Sequence, residues 1–138
     1  MMQEHKDLLL KDLSARLPYG VKGRVSRHDH NNRECEFVAT IDGKLYDKFA
    51  VAQESWYDNV TIKPCLFPLS SMTEEQKQEY NGWKHMVPVC HYEYGDVVEE
   101  IELFESPASF EYLIENHFDY YGLIPMGLAN DATGKNIY

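Results

Sequence analysis

The chain has 138 residues, 43% of them apolar and 26% charged, with a formal net charge of −10. This is the profile of one folded domain over 1–138 rather than of a disordered chain. Residues 85–134 hold no Lys or Arg but ten Asp or Glu, while the remainder balances 13 against 13; a field of that sign disfavours a nucleic-acid backbone as a direct partner.

The first residues mix both charge signs ahead of only three consecutive leucines, too short and polar for a signal peptide or a membrane span, so a cytoplasmic protein is expected. Leu9, Leu10, Leu13 and Leu17 recur at helical spacing and predict an amphipathic first helix, with Lys6, Lys11, Asp12 and Arg16 on its other face. Pro18-Tyr19-Gly20 stops it. Val21, Gly23 and Val25 alternate with Lys22, Arg24 and Ser26 as in a half-exposed strand, and the polar run Arg27 to Arg33 reads as its loop. Cys35 to Val51 reads as a hairpin about Asp42-Gly43, with Phe37, Ala39, Leu45, Asp47 and Phe49 on one face and Asp47 near a wet sheet edge. Val60, Ile62 and Leu66 continue the sheet, where Pro64 points to an edge strand or an early strand end.

Thr73 followed by Gln76 has the form of a capping box and starts a mostly polar surface helix that ends near Gly82, anchored by Tyr80 and Trp83. Val87 to Phe104 reads as a second hairpin about Gly95-Asp96, pairing Tyr94 with Val97, Tyr92 with Glu99 and Cys90 with Ile101. Its other face collects Val89, His91, Glu93, Val98, Glu100 and Glu102, with His91 opposite Glu100. Ser106-Pro107 starts a helix whose stripe is Phe110, Leu113, Ile114 and Phe118. The segment from Leu123 to Ala129 is too broken for a long helix, and a mobile polar tail is expected to follow. The fold class is therefore α+β: a mostly antiparallel sheet of about five to six strands, with an N-terminal helix, a short surface helix and a C-terminal helix packed on it.

Two blocks, Ser70-Ser71-Met72-Thr73-Glu74-Glu75-Gln76-Lys77 and His117-Phe118-Asp119-Tyr120-Tyr121-Gly122-Leu123-Ile124, resemble signatures of an uncharacterised family of small proteins from gut bacteria and their phages or prophages. The resemblance implies a mobile-element setting and no particular activity. Many such sequences have arginine before the glycine, where this chain has Tyr121.

The odd, widely spaced Cys35, Cys65 and Cys90 read as three buried thiols, without a disulfide framework or zinc knuckle. His28-Asp29-His30 with Cys35 lacks a second ligand pair, and a polar loop is the stronger reading. His91, Glu93, Glu100 and Glu102 could surround a hard cation but lack a wrapping loop, which favours a solvated sheet face. His117 and Asp119 could form an acid–base pair; a helix-dipole contact and a local turn hydrogen bond outweigh that reading. Tyr120 and Tyr121, with Tyr92, Tyr94 and Tyr112, supply aromatic surface suited to an interface. No catalytic residue, metal or cofactor is assigned. The expected function is a non-enzymatic interaction module whose acidic C-terminal half meets a basic protein or a second copy. A small cation-dependent or hydrolytic enzyme and a phage-type DNA mimic are the alternatives.

Overall fold

The structure, a computed structural model, describes residues 3–28, 34–46 and 60–138. Its contacts divide it into two compact units, Met1–Ser71 with Ile114–Tyr138, and Met72–Leu113.

In the first unit α1 (Gln3–Arg16) buries Leu9 and Leu13 as its spacing predicts, and with them Asp12 and Arg16, which the sequence assigned to the outer face. Their pairing explains the correction: Arg16 Nε donates to Asp12 Oδ2 at 2.7 Å, one helical turn away, so each charge enters the interior with its counter-ion. β1 (Lys22–His28) lies in a four-stranded sheet of order β2-β1-β3-β6, flanked antiparallel by β2 (Glu34–Thr40) and β3 (Val60–Leu66). The two-residue β6 (Asn130–Asp131) runs parallel to β3. Alternation along β1 buries Val21, Gly23 and Val25 and places Arg24 and Ser26 on the opposite face. The core gathers Leu9, Leu13, Val21, Val25, Ile41, Ile62, Leu66 and Leu123. A Cβ on Gly23 would stand 2.6 Å from Ile41 Cδ1 and 3.1 Å from the Lys63 carbonyl, so only glycine permits this approach.

Several expectations change. The chain does not turn back as a hairpin at Asp42-Gly43: residues 43–46 form a helical turn. The reason is that Asp42 acts as its cap, Oδ1 accepting from the N–H groups of Lys44 and Leu45 at 3.0 Å. Asp47 and Phe49, like Asp29 and His30, lie outside the described residues. Pro64 does not end its strand, which runs on to Leu66; β6 reaches only Cys65 and Leu66, leaving the earlier part of β3 an edge on that side among the described residues. The tail is not loose. Lys22 N–H donates to Tyr138 Oη at 2.8 Å, Tyr138 Oη donates to the Cys65 carbonyl at 2.7 Å, and Lys22 Nζ donates to the Ile137 carbonyl at 2.7 Å. Of the cysteines only Cys65 is buried; Cys35 and Cys90 lie on strands whose faces are exposed, and all three are free thiols.

The second unit holds α2 (Glu74–Gly82), β4 (His85–Glu93), β5 (Asp96–Phe104) and the first residues of α3 (Pro107–Glu115). The capping box forms, with Thr73 Oγ1 accepting from Gln76 N–H at 3.1 Å and Gln76 Oε1 from Thr73 N–H at 2.9 Å. Ser106 caps α3 reciprocally with Ser109, its Oγ accepting from Ser109 N–H at 3.0 Å while Ser109 Oγ accepts from Ser106 N–H at 2.8 Å. Glu105 accepts hydrogen bonds from Tyr80 Oη and Ser109 Oγ, and Tyr112 Oη donates to Glu79 at 3.0 Å. Trp83 is not an anchor: it is exposed, and its carbonyl accepts from Ser106 Oγ at 2.6 Å. The architecture is thus α+β, and among the described residues its strands lie in two sheets rather than one.

Gly23→Ala should lower stability by about 1–3 kcal/mol in chemical denaturation, because Ile41 and the backbone of β3 must shift. Unchanged stability would show that the approach of Ile41 to β1 is not tight.

Candidate functional site

β4 and β5 pair Glu93 with Asp96, Tyr92 with Val97, His91 with Val98 and Val89 with Glu100. The turn is therefore Tyr94-Gly95, not Gly95-Asp96, and His91 is not opposite Glu100. Both central residues have positive φ, 51° at Tyr94 and 85° at Gly95, the signature of a type I′ turn that matches strand twist. The register moves by two residues, an even number, so every side chain keeps the face the sequence assigns it. On one face stand Met86, Pro88, Cys90 and Tyr92 with Val97, Glu99, Ile101 and Leu103; on the other His85, Val87, Val89, His91 and Glu93 with Asp96, Val98, Glu100, Glu102 and Phe104.

The apolar face is uncovered. Met86 is 72% exposed, Tyr92 83%, Val97 63% and Ile101 69%, and Tyr94 at the turn is 99% exposed. Among the described residues no third strand pairs with either edge. Four of the candidate residues share the acidic face: His91 Nε2 lies 3.7 Å from Glu93 Oε2, whereas Glu100 stands opposite Val89 and Glu102 opposite Val87. Among the described residues no three His, Cys, Asp or Glu side chains are grouped to hold a metal ion. The exposure of Met86, Val97 and Ile101 has no signature in the sequence, because strand alternation reports which side chains share a face and not whether anything covers it.

The other four candidates lie in the first unit, and the structure does not join His117 and Asp119 into an acid–base pair. Asp119 is buried, Oδ1 accepting from Leu123 N–H at 2.8 Å and Oδ2 from Ile124 N–H at 2.9 Å, the local turn bonding its position suggests. His117 stacks on Tyr138 with centroids 3.7 Å apart and rings 14° from parallel. Burial first, then the charges of Arg16 and Lys22, lower its pKa from 6.5 to about 4. The ring is accordingly neutral and does not serve as the helix-dipole cation that the sequence suggests. Tyr120 meets Tyr121 edge to face at 4.9 Å, and Tyr121 packs against the core with Lys11 Nζ 5.6 Å from its ring centroid.

Sequence reasoning also missed the buried pair beside this group. Arg16 Nη2 donates to the Phe118 carbonyl, while Arg16 Nη1 and Asp12 Oδ1 have no partner among the described residues. Burial raises the Asp12 pKa against the opposing pull of Arg16. Among the described residues no helix is long and apolar enough to cross a membrane. Comparison with family models, curated proteins and solved structures gives no match.

The imidazole of the unfolded chain takes its proton near pH 6.5 and the folded one near pH 4. The stabilisation from His117 is therefore complete above about 6.5 and is lost as pH falls through about 4. In NMR titration the His117 ring should show a midpoint near 4; a midpoint near 6.5 would mean that the Tyr138 stack does not exclude water.

Proposed function

We propose that this chain is a protein-interaction module in which the β4–β5 hairpin docks a basic, extended segment of a partner protein. The observation that carries the reading is the uncovered apolar face of that hairpin within a unit holding ten Asp or Glu against two Lys. Exposed apolar side chains of this density mark contact surfaces, and free strand edges offer main-chain hydrogen bonds to an added strand. Surrounding acids steer a basic segment and repel a second acidic copy, which favours a foreign partner over self-association. Tyr94 adds to the case. A tyrosine at positive φ is strained, by roughly 1 kcal/mol or more, where Asn is the ordinary choice, and strain of this kind is retained where the side chain is used. The resemblance to small phage and prophage proteins adds a mobile-element setting to the proposal. A cation-dependent or hydrolytic alternative would draw on His91, His117, Asp119 or the nearby glutamates, and of these His117 and Asp119 are committed to other contacts.

A peptide alternating Val and Lys, titrated by NMR, should shift the amides of β4 and β5 and bind about tenfold more weakly when salt is raised from about 50 mM to about 500 mM. Ile101→Ser and Tyr92→Ser should each weaken binding about tenfold. Tyr94→Asn should also weaken it while raising stability by about 1 kcal/mol, separating function from folding. Binding of a Val–Glu peptide with equal strength, or concentration-dependent dimerisation through the same residues, would overturn the reading.

A further inference from the structure

We propose, resting on the docking reading above, that the partner segment adds as a strand to the β5 edge of the hairpin and not to the β4 edge, with Lys or Arg opposite Glu99, Glu100 and Glu102. The turn decides which way each backbone group points. In a two-residue type I′ turn the flanking pair, here Glu93 and Asp96, exchanges both main-chain hydrogen bonds, and bonded and unbonded pairs alternate from there. His91 with Val98, Val89 with Glu100 and Val87 with Glu102 therefore bond across the ribbon. The backbone groups of Tyr92 and Val97, Cys90 and Glu99, Pro88 and Ile101, and Met86 and Leu103 point away from it. Val97, Glu99, Ile101 and Leu103 thus present a continuous row of N–H and C=O groups along the outer edge of β5, and among the described residues no third strand or loop backbone takes them up.

The β4 edge is different. Its outward positions are Met86, Pro88, Cys90 and Tyr92, and Pro88, in the middle of the row, has no N–H to give. Proline is tolerated there because the missing donor is one the β4–β5 ladder does not use, and it interrupts any strand added on that side. The hairpin therefore has one blunted edge and one complete edge.

The side chains along the complete edge name the occupant. β5 runs Val97-Val98-Glu99-Glu100-Ile101-Glu102-Leu103, and a residue directly opposite in an added strand shares the face of its neighbour. The glutamates are exposed, and neither β4 nor β5 contains a Lys or Arg to neutralise them. Charge complementarity then requires a cation opposite each glutamate, and apolar side chains fit opposite Val97, Val98, Ile101 and Leu103. A second copy of the chain is a poor occupant: β5 paired antiparallel with itself about Glu100 sets carboxylate against carboxylate.

The test is amide hydrogen exchange of the intact protein, followed by NMR, with the peptide Val-Val-Lys-Lys-Val-Lys-Val and with its reverse, which match β5 in the parallel and antiparallel senses. With the order that binds, the amides of Val97, Glu99, Ile101 and Leu103 should slow about tenfold or more, while those of Met86, Cys90 and Tyr92 stay as fast as in the free protein. Amides inside the ribbon slow on both strands as it is steadied, so the outward ones discriminate. That peptide should bind about threefold tighter than one alternating Val and Lys, and Glu99→Val should remove the advantage. Protection of Met86, Cys90 and Tyr92 in place of the β5 amides, or hairpin shifts with no outward amide protected on either strand, would overturn the edge assignment and leave docking itself standing. Binding by none of the three peptides would overturn both. Slowing of the β5 amides with rising protein concentration alone would identify a second copy as the occupant and overturn the proposal.

Discussion

The first unit depends on one buried ion pair. Arg16 is fully enclosed, and its guanidinium bridges the Asp12 carboxylate within α1 to the Phe118 carbonyl, 102 residues further along the chain. Nε is met by Asp12 and Nη2 by the Phe118 carbonyl, so this bridge fixes where the segment after α3 must lie against α1. Phe67 and Phe118 form a parallel bridge, with Phe67 N–H donating to the His117 carbonyl and Asp119 N–H to the Phe67 carbonyl, each at 2.8 Å. From that anchored strand His117 stacks on Tyr138, and Asp119 organises the turn at Leu123 and Ile124. Removing one partner of such a pair leaves an uncompensated charge inside, at about 3–5 kcal/mol, a large share of the stability of a domain this size.

The second unit follows the opposite logic. Its helices are capped and tied by polar contacts through Glu79 and Glu105, but the hairpin between them has both faces largely exposed. An isolated two-stranded ribbon is marginal in water, because two strands cannot bury their own apolar face. Met86, Tyr92, Val97 and Ile101 make that face apolar nonetheless, and the negative charge around them sets which surfaces can approach. Physical incompleteness and the proposed docking role are thus two descriptions of one feature.

Much of this was legible in the residues. Leucine spacing marked α1, alternation marked β1, and the Thr73–Gln76 box and Ser106-Pro107 marked two helix starts, because each is a local signal with a local cause. Where reading failed, a non-local or competing effect decided. Asp12 and Arg16 looked like surface because each alone would be, and only as a pair can they be buried. Asp42 can open a hairpin turn or cap a helix, and capping won. The Tyr94-Gly95 turn displaced the pairing by two residues, since a glycine serves either position of a tight turn, yet the faces survived. Burial, with the charges of Arg16 and Lys22, disfavours the charged form of His117, and its stacking on Tyr138 is a contact with no local signature.

The central claim is that a closed first unit accompanies a hairpin left open for a basic partner. Native-state hydrogen exchange tests it residue by residue. The amides of α1, β1 and β3 should exchange only through global unfolding, while those of β4 and β5 exchange far faster in the free protein and gain protection when the Val–Lys peptide is added. Hairpin amides as slow as those of β1 in the free protein, with no further slowing on adding the peptide, would contradict it.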